Sequence, residues 1–203
     1  MKKSRQQTQN SQGPSLKVAF DLDGVLLDNP TRSGRGLISF TKKAHLLSRK
    51  QLEFYHPHSP LTEGLWRVLH WTSFRVDRAF PQLVKLVKEQ RLEAYIVSGR
   101  FACLNANTQH WLKKMQAQQV FKGVYINDQD QQPHLFKEKM IKQLQVDYFV
   151  EDNWDIARHL ASQLKVGQQR VLWVSNLLDR QRSFNLKFNS LGQALNFLAT
   201  KSS

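Results

Sequence analysis

The chain has 203 residues, 40% of them hydrophobic and including 12 Phe and 5 Trp, which is enough to build the core of one domain with a small insertion. Its single cysteine, Cys103, excludes an internal disulfide and suits a reducing, cytoplasmic setting, and no stretch approaches the roughly 20 apolar residues of a membrane span. The net charge of +14 points to anionic partners, phosphates and nucleic acids among them, or to a generally basic chain kept soluble by its charge.

Residues 1–15, "MKKSRQQTQNSQGPS", begin basic and turn polar with no apolar stretch behind the charges; they read as a flexible tail and not as a secretory signal. Five continuous apolar runs then read as strands of a parallel sheet covered on both faces: "KVAFDL" (17–22), "EAYIVS" (93–98), "GVYIN" (123–127), "DYFVE" (147–151) and "VLWVS" (171–175). Helical patterns separate them. Phe80, Leu83, Val84 and Val87 form a stripe before the second run, and Leu104, Thr108, Trp111, Leu112 and Met115 form another after it. Ile156, Leu160 and Leu164 line a third, and Ser190 caps a last helix bearing Leu191, Ala194, Leu195 and Leu198. Alternating strands and helices predict a doubly wound, mainly parallel five-stranded α/β sheet of Rossmann-like type.

The interval between the first two strands, about 70 residues, is too long for one crossover. Leu37, Phe40, Ala44 and Leu47 predict one helix there, and Ser59-Pro60 predicts the cap and first residue of a second, running to about Phe74. Residues 30–78 therefore read as a small helical insertion on a core of residues 16–29 and 79–203. The densest positive charge lies here: residues 31–56 carry six Lys/Arg, Arg32, Arg35, Lys42, Lys43, Arg49 and Lys50, against Glu53 alone.

Ligands of open α/β sheets bind at the carboxyl ends of strands. Those ends read Asp21-Leu22-Asp23-Gly24, Ser98-Gly99-Arg100 and Glu151-Asp152-Asn153, and the helix "KEKMIKQL" before the fourth strand begins with Lys137. Two carboxylates as close as Asp21 and Asp23 repel, and burying them without a partner costs several kcal/mol. A cation or a reacting group is the remedy.

These motifs resemble those of the haloacid dehalogenase-like hydrolases, most of which are Mg²⁺-dependent phosphatases. "DLDGVL" matches the first motif, "IVSGR" the second and "VEDN" the fourth, with Lys137 as the third. The insertion stands where that family places one of its cap types. The resemblance implies an aspartyl-phosphate mechanism on phosphorylated small molecules. It makes Asp21 the nucleophile, Asp23 the acid and base, Ser98 and Gly99 the phosphoryl holders, and Lys137 the counter-charge. Mg²⁺ would be held by the Asp21 carboxylate, the Asp23 carbonyl and Asp152. Retention of Asp23 favours phosphate esters, since dehalogenases attack carbon and need neither the second aspartate nor a metal. Many members carry a further aspartate four residues after the metal ligand, where this chain has Ile156, with Asp155 one residue earlier.

Alternatives stand beside several of these readings. Ser98 could simply cap the next helix, Arg100 is either a substrate contact or a surface residue, and Lys139 competes with Lys137. Glu151 holds either metal-bound water or Lys137. Cys103 is not a Cys-x5-Arg nucleophile, because Gln109 stands where the arginine should be; it reads as a buried helix residue. His56 and His58 are of a type that binds metal, but they flank Pro57 in a loop without further ligands and read as surface histidines. The basic insertion predicts a polyanionic substrate, such as a nucleotide, or a nucleic-acid-binding protein with little small-molecule turnover.

Overall fold

The computed structural model describes residues 15–28, 52–71, 75–164, 170–176, 179 and 181–202. In chain order its elements are β1 (Leu16–Phe20), β2 (Leu27–Asp28), α1 (Pro60–Trp71), β3 (Arg75–Val76), α2 (Phe80–Lys88), β4 (Leu92–Ser98), a 3-10 turn (Ala102–Leu104) and α3 (Asn105–Lys114). There follow α4 (Ala117–Val120), β5 (Gly123–Ile126), α5 (Pro133–Leu144), β6 (Tyr148–Glu151), α6 (Trp154–Gln163), β7 (Arg170–Val174), β8 (Lys187–Phe188) and α7 (Leu191–Lys201). The main sheet is parallel in the order β5-β4-β1-β6-β7-β8, with Phe20 opposite Ile96 on one side and Val150 on the other. The five expected strands are present, and the sheet has six. The sixth, β8, is two residues long and pairs Lys187 with Trp173, too short for any periodicity to reveal.

Alternation along each strand builds two cores. Val18, Phe20, Ile96, Val150 and Leu172 face one side with Leu83, Leu195 and Leu198, while Ala19, Val97, Phe149 and Trp173 face the other with Ile141, Ile156 and Leu160. Because both sides are apolar, the strands read as unbroken runs. Chain order reverses at β1, which lies between β4 and β6, so the crevice of the doubly wound fold opens at its carboxyl end.

β2 and β3 form a separate antiparallel pair, with Asp28 opposite Arg75. Between them in sequence, Ser59 caps α1 as expected: its Oγ accepts the Thr62 N–H at 3.3 Å. The helix is described from Pro60 to Trp71; residues 72–74, where its expected end falls, lie outside the described residues. The predicted helix of Leu37, Phe40, Ala44 and Leu47, and the basic residues Arg32, Arg35, Lys42, Lys43, Arg49 and Lys50, lie outside the described residues, as does the tail up to residue 14.

Candidate active site

β1 stops at Phe20, and the next N–H, that of Asp21, donates to the Val150 carbonyl of β6 at 2.9 Å. That bond pins Asp21 at the switch point. The chain then turns sharply: Gly24 has φ 76°, a left-handed conformation that a Cβ would strain, and its N–H donates to the Leu27 carbonyl at 2.8 Å. Asp21 and Asp23 end up buried, at 6% and 7% exposure.

Around Asp21 the structure gathers Lys137, Glu151 and Asp152. The Lys137 ammonium, 2% exposed, lies 3.0 Å from Asp21 Oδ2 and 2.7 Å from Glu151 Oε2. Burial would lower the Lys137 pKa, but Asp21 and Glu151 outweigh it, so the group stays charged. Burial raises the Asp21 pKa, with Asp152 and Asp23 adding to it and Lys137 opposing. Burial likewise pushes Glu151 up to about 8, helped by Asp21 and Asp152 against Lys137. Four ionisable groups with one positive charge among them favour another cation. Asp21, Glu151 and Asp152 each bring a carboxylate oxygen within 4.8 Å of the others, an all-oxygen donor set that fits a hard ion such as Mg²⁺. The backbone beneath is fixed, since Trp173 Nε1 donates to the Asp152 carbonyl at 3.0 Å and the Asn153 N–H donates to Glu151 Oε1 at 2.9 Å.

Asp23 faces a different neighbour. Arg100 grips its carboxylate with two parallel bonds, Nε to Oδ2 and Nη2 to Oδ1, both 2.7 Å. Arg100 Nη1 donates to Asn107 Oδ1 at 2.8 Å and to Thr108 Oγ1 at 3.2 Å, so four of the five N–H donors of an arginine are engaged. His70 of α1 brings Nδ1 to 3.6 Å from Asp23 Oδ2, an electrostatic contact too long for a hydrogen bond. Burial alone would raise the Asp23 pKa; Arg100, and after it His70, hold the carboxyl well below its usual range. Arg100 is thus a buried partner of Asp23, 4% exposed, and not the surface residue that was one of the two readings expected for it.

Ser98, 1% exposed, ends β4 beside Asp21's strand, and its Oγ accepts the Arg100 N–H at 3.4 Å. Gly99 follows where a side chain does not fit: a Cβ there would lie 2.8 Å from Pro133 Cβ and 3.3 Å from Lys137 Cε. Gly99→Ala should therefore push the first turn of α5, and Lys137 with it, away from Asp21. An overpacking cost of about 1–3 kcal/mol in chemical denaturation, together with a lower kcat, is the expected result; an unchanged kcat would separate Gly99 from the site.

The helix carrying Lys137 begins at Pro133, four residues before the expected start, because Pro133 takes the first helical position. That moves Lys137 inward by a turn, while Lys139 is exposed. Asp155 is exposed in the first turn of α6, whose cap is Asn153, and Ile156 is buried in the core. Cys103 is half-buried in the 3-10 turn rather than buried in a helix. It lines a cleft of about 540 Å³ between α1 and α3, with Arg67, Val68, Ala102, Ala106 and Asn107. His70, Asn107 and Thr108 were not among the expected site residues. Nothing local marks them, because each reaches Asp23 or Arg100 only through tertiary contact.

No protein-family model and no curated protein matches the sequence. Solved structures do match the fold. YfnB from Bacillus subtilis, described as a HAD-hydrolase and bound to magnesium, aligns with TM-score 0.58 over 92% of this chain and 100% of that one, at 11% identity. CbbY from Rhodobacter sphaeroides, in complex with phosphate, aligns with TM-score 0.54 over 87% of this chain and 95% of that one, at 13% identity. An L-2-haloacid dehalogenase aligns with TM-score 0.56 over 92% of this chain and 100% of that one, at 14% identity. The chain has the haloacid dehalogenase-like fold.

Proposed function

We propose that this chain, built on the haloacid dehalogenase-like fold, is a metal-dependent phosphomonoesterase acting on phosphorylated small molecules. The observation that supports this most directly is Asp21 held among Lys137, Glu151 and Asp152 at one strand edge, with Asp23 beside it. Asp21 attacks phosphorus; the P–O bond to the alcohol breaks, and the phosphoryl group stays on the carboxylate as an acyl phosphate. Water then attacks phosphorus, releasing phosphate and restoring Asp21. Asp23 gives a proton to the leaving oxygen and takes one from water, a role worth about 10²–10⁴ in rate. Arg100 and His70, which favour its ionised form, bias it toward the second of these. Ser98 Oγ and the Gly99 N–H hold the phosphoryl oxygens, and Lys137 offsets their growing charge. Asp21, the Asp23 carbonyl and Asp152 would hold Mg²⁺, with Glu151 at its side. When bound, the ion neutralises the repulsion between carboxylate and phosphate. The presence of Asp23 is what favours a phosphate ester over a carbon–halogen bond.

Excess chelator should abolish turnover of phosphate monoesters, and Mg²⁺ should restore it. Asp152→Ala should raise the Mg²⁺ concentration needed for half-maximal rate. Full activity in chelator would overturn the metal-dependent reading. The net charge of +14 supports a second reading, in which nucleic acid is the anionic partner. Binding that falls steeply with salt, with no turnover of any phosphate monoester, would favour it.

A further inference from the structure

His56, Pro57 and His58 lie just before α1, and the structure gives the two histidines an arrangement that their sequence spacing alone did not disclose. Pro57 is buried between them, and the two imidazoles meet with their Nδ1 atoms 3.2 Å apart and their rings nearly perpendicular at 86°. On the other side of the His56 ring, Nε2 lies 3.4 Å from Asp130 Oδ2. Asp130 is itself held: it sits at φ 52°, and its Oδ1 accepts the Ala102 N–H at 2.7 Å. The two segments are also joined one step away, where Gln132 Oε1 accepts the Phe54 N–H at 2.7 Å and Gln132 Nε2 donates to the Phe54 carbonyl at 3.1 Å.

We propose that His56 and His58 bind a divalent transition-metal ion, Zn²⁺ or Cu²⁺, through their Nδ1 atoms, with Asp130 orienting His56 from behind. Two nitrogens that each lie about 2.0–2.1 Å from one tetrahedral ion are themselves about 3.3 Å apart, close to the spacing found here. Without an ion, that spacing needs one ring to carry its proton on Nδ1 and the other to leave Nδ1 bare; an ion replaces the shared proton. A metal-ligating histidine characteristically directs its other N–H to a carboxylate, which fixes the tautomer and strengthens the ligand. His56 Nε2 and Asp130 Oδ2, 3.4 Å apart, are placed to form that pair. Imidazole nitrogen selects Zn²⁺ and Cu²⁺ over Mg²⁺, so this site and the all-oxygen cluster at Asp21 are separated by ligand chemistry. His58 is exposed, so an ion reaches the pair from solvent, and water completes its coordination. A bound ion would clamp the segment leading into α1 onto the loop before α5.

The test uses the untagged 203-residue chain, freed of metal with chelator and then titrated with Cu²⁺, and is read by electron paramagnetic resonance. The expected spectrum shows splitting from two imidazole nitrogens, and Zn²⁺ displaces the signal. His56→Ala and His58→Ala should each remove the two-nitrogen pattern, while His70→Ala should keep it. Asp130→Asn should keep the pattern but weaken affinity roughly 10–100-fold. Because His58 is exposed, His58→Ala should leave the metal-free melting temperature and Mg²⁺-supported turnover unchanged. A two-nitrogen spectrum that survives in both alanine variants would overturn the proposal, as would wild-type protein showing no nitrogen splitting.

Discussion

Asp21→Asn should lose phosphatase turnover by on the order of 10⁴–10⁶-fold, the scale seen when a nucleophile is removed, while the protein melts no lower than wild type. The amide is nearly isosteric with the carboxylate, so packing is kept. What disappears is a charge that the site disfavours: burial, then Asp152 and Asp23, raise the Asp21 pKa against the pull of Lys137. A carboxyl whose folded pKa lies above its unfolded value subtracts stability at every pH above that unfolded value. Removing it should therefore raise the melting temperature at neutral pH, measured in excess chelator so that no ion offsets the repulsion. The gain should vanish in acid, below the ordinary carboxylate range, where Asp21 is neutral in both states. Lys137 keeps Glu151 at 2.7 Å, so no buried cation is orphaned. Activity at the wild-type rate would remove Asp21 from the mechanism, and a lower melting temperature at neutral pH would refute the electrostatic account.

Arg100→Ala should be the most damaging single change to stability at this site, costing about 3–5 kcal/mol at neutral pH, because it leaves a buried carboxylate unpaired from its bidentate partner. It also leaves Asn107 Oδ1 without the 2.8 Å donor it has in the wild type. The pH dependence has the opposite sign from that of Asp21. Arg100 and His70 hold the Asp23 pKa down against burial, so the pair contributes stability that is fully present above the unfolded carboxylate pKa and is lost as pH falls through the folded one. The gap between wild type and Arg100→Ala in urea denaturation should thus be wide at neutral pH and narrow as pH falls below the ordinary carboxylate range. Arg100→Lys should recover only part of the loss, since a point charge cannot make two parallel bonds. Adding Asp23→Asn to Arg100→Ala should restore part of the stability by removing the buried charge that has lost its guanidinium. Parallel pH profiles for wild type and Arg100→Ala would show that the ion pair is not what holds this corner of the site together.

Much of this arrangement was legible in the residues. Strand ends in a doubly wound sheet converge, so Asp21, Ser98 and Asp152 could be placed at one edge from apolar runs alone. The distance in sequence to β6 favoured Lys137 while leaving Lys139 as a competitor. The order β5-β4-β1-β6 explains why that worked: β1 lies centrally, with the two other site-bearing strands on its flanks. The partners of Asp23 were not legible. Arg100 lies 77 residues from it in sequence, and His70 comes from α1, so only the packed fold brings the three together. The same limit hid Asp130 behind His56. Short elements escaped for a simpler reason: β8 and the β2–β3 pair are two-residue strands, with no room for a repeating pattern.

The central claim is that Asp21 becomes covalently phosphorylated during turnover. The direct measurement is mass spectrometry of peptides from protein quenched in acid while it turns over a phosphate monoester with Mg²⁺. Asp23→Asn protein and an aryl ester should serve best, since hydrolysis of the intermediate slows while its formation needs little acid assistance. The account predicts a phosphoryl group on the peptide containing Asp21, at that residue, absent from Asp21→Asn protein treated in the same way. Turnover in wild type with no phosphoryl group trapped on Asp21 in either protein, or with the group on another residue, would contradict it.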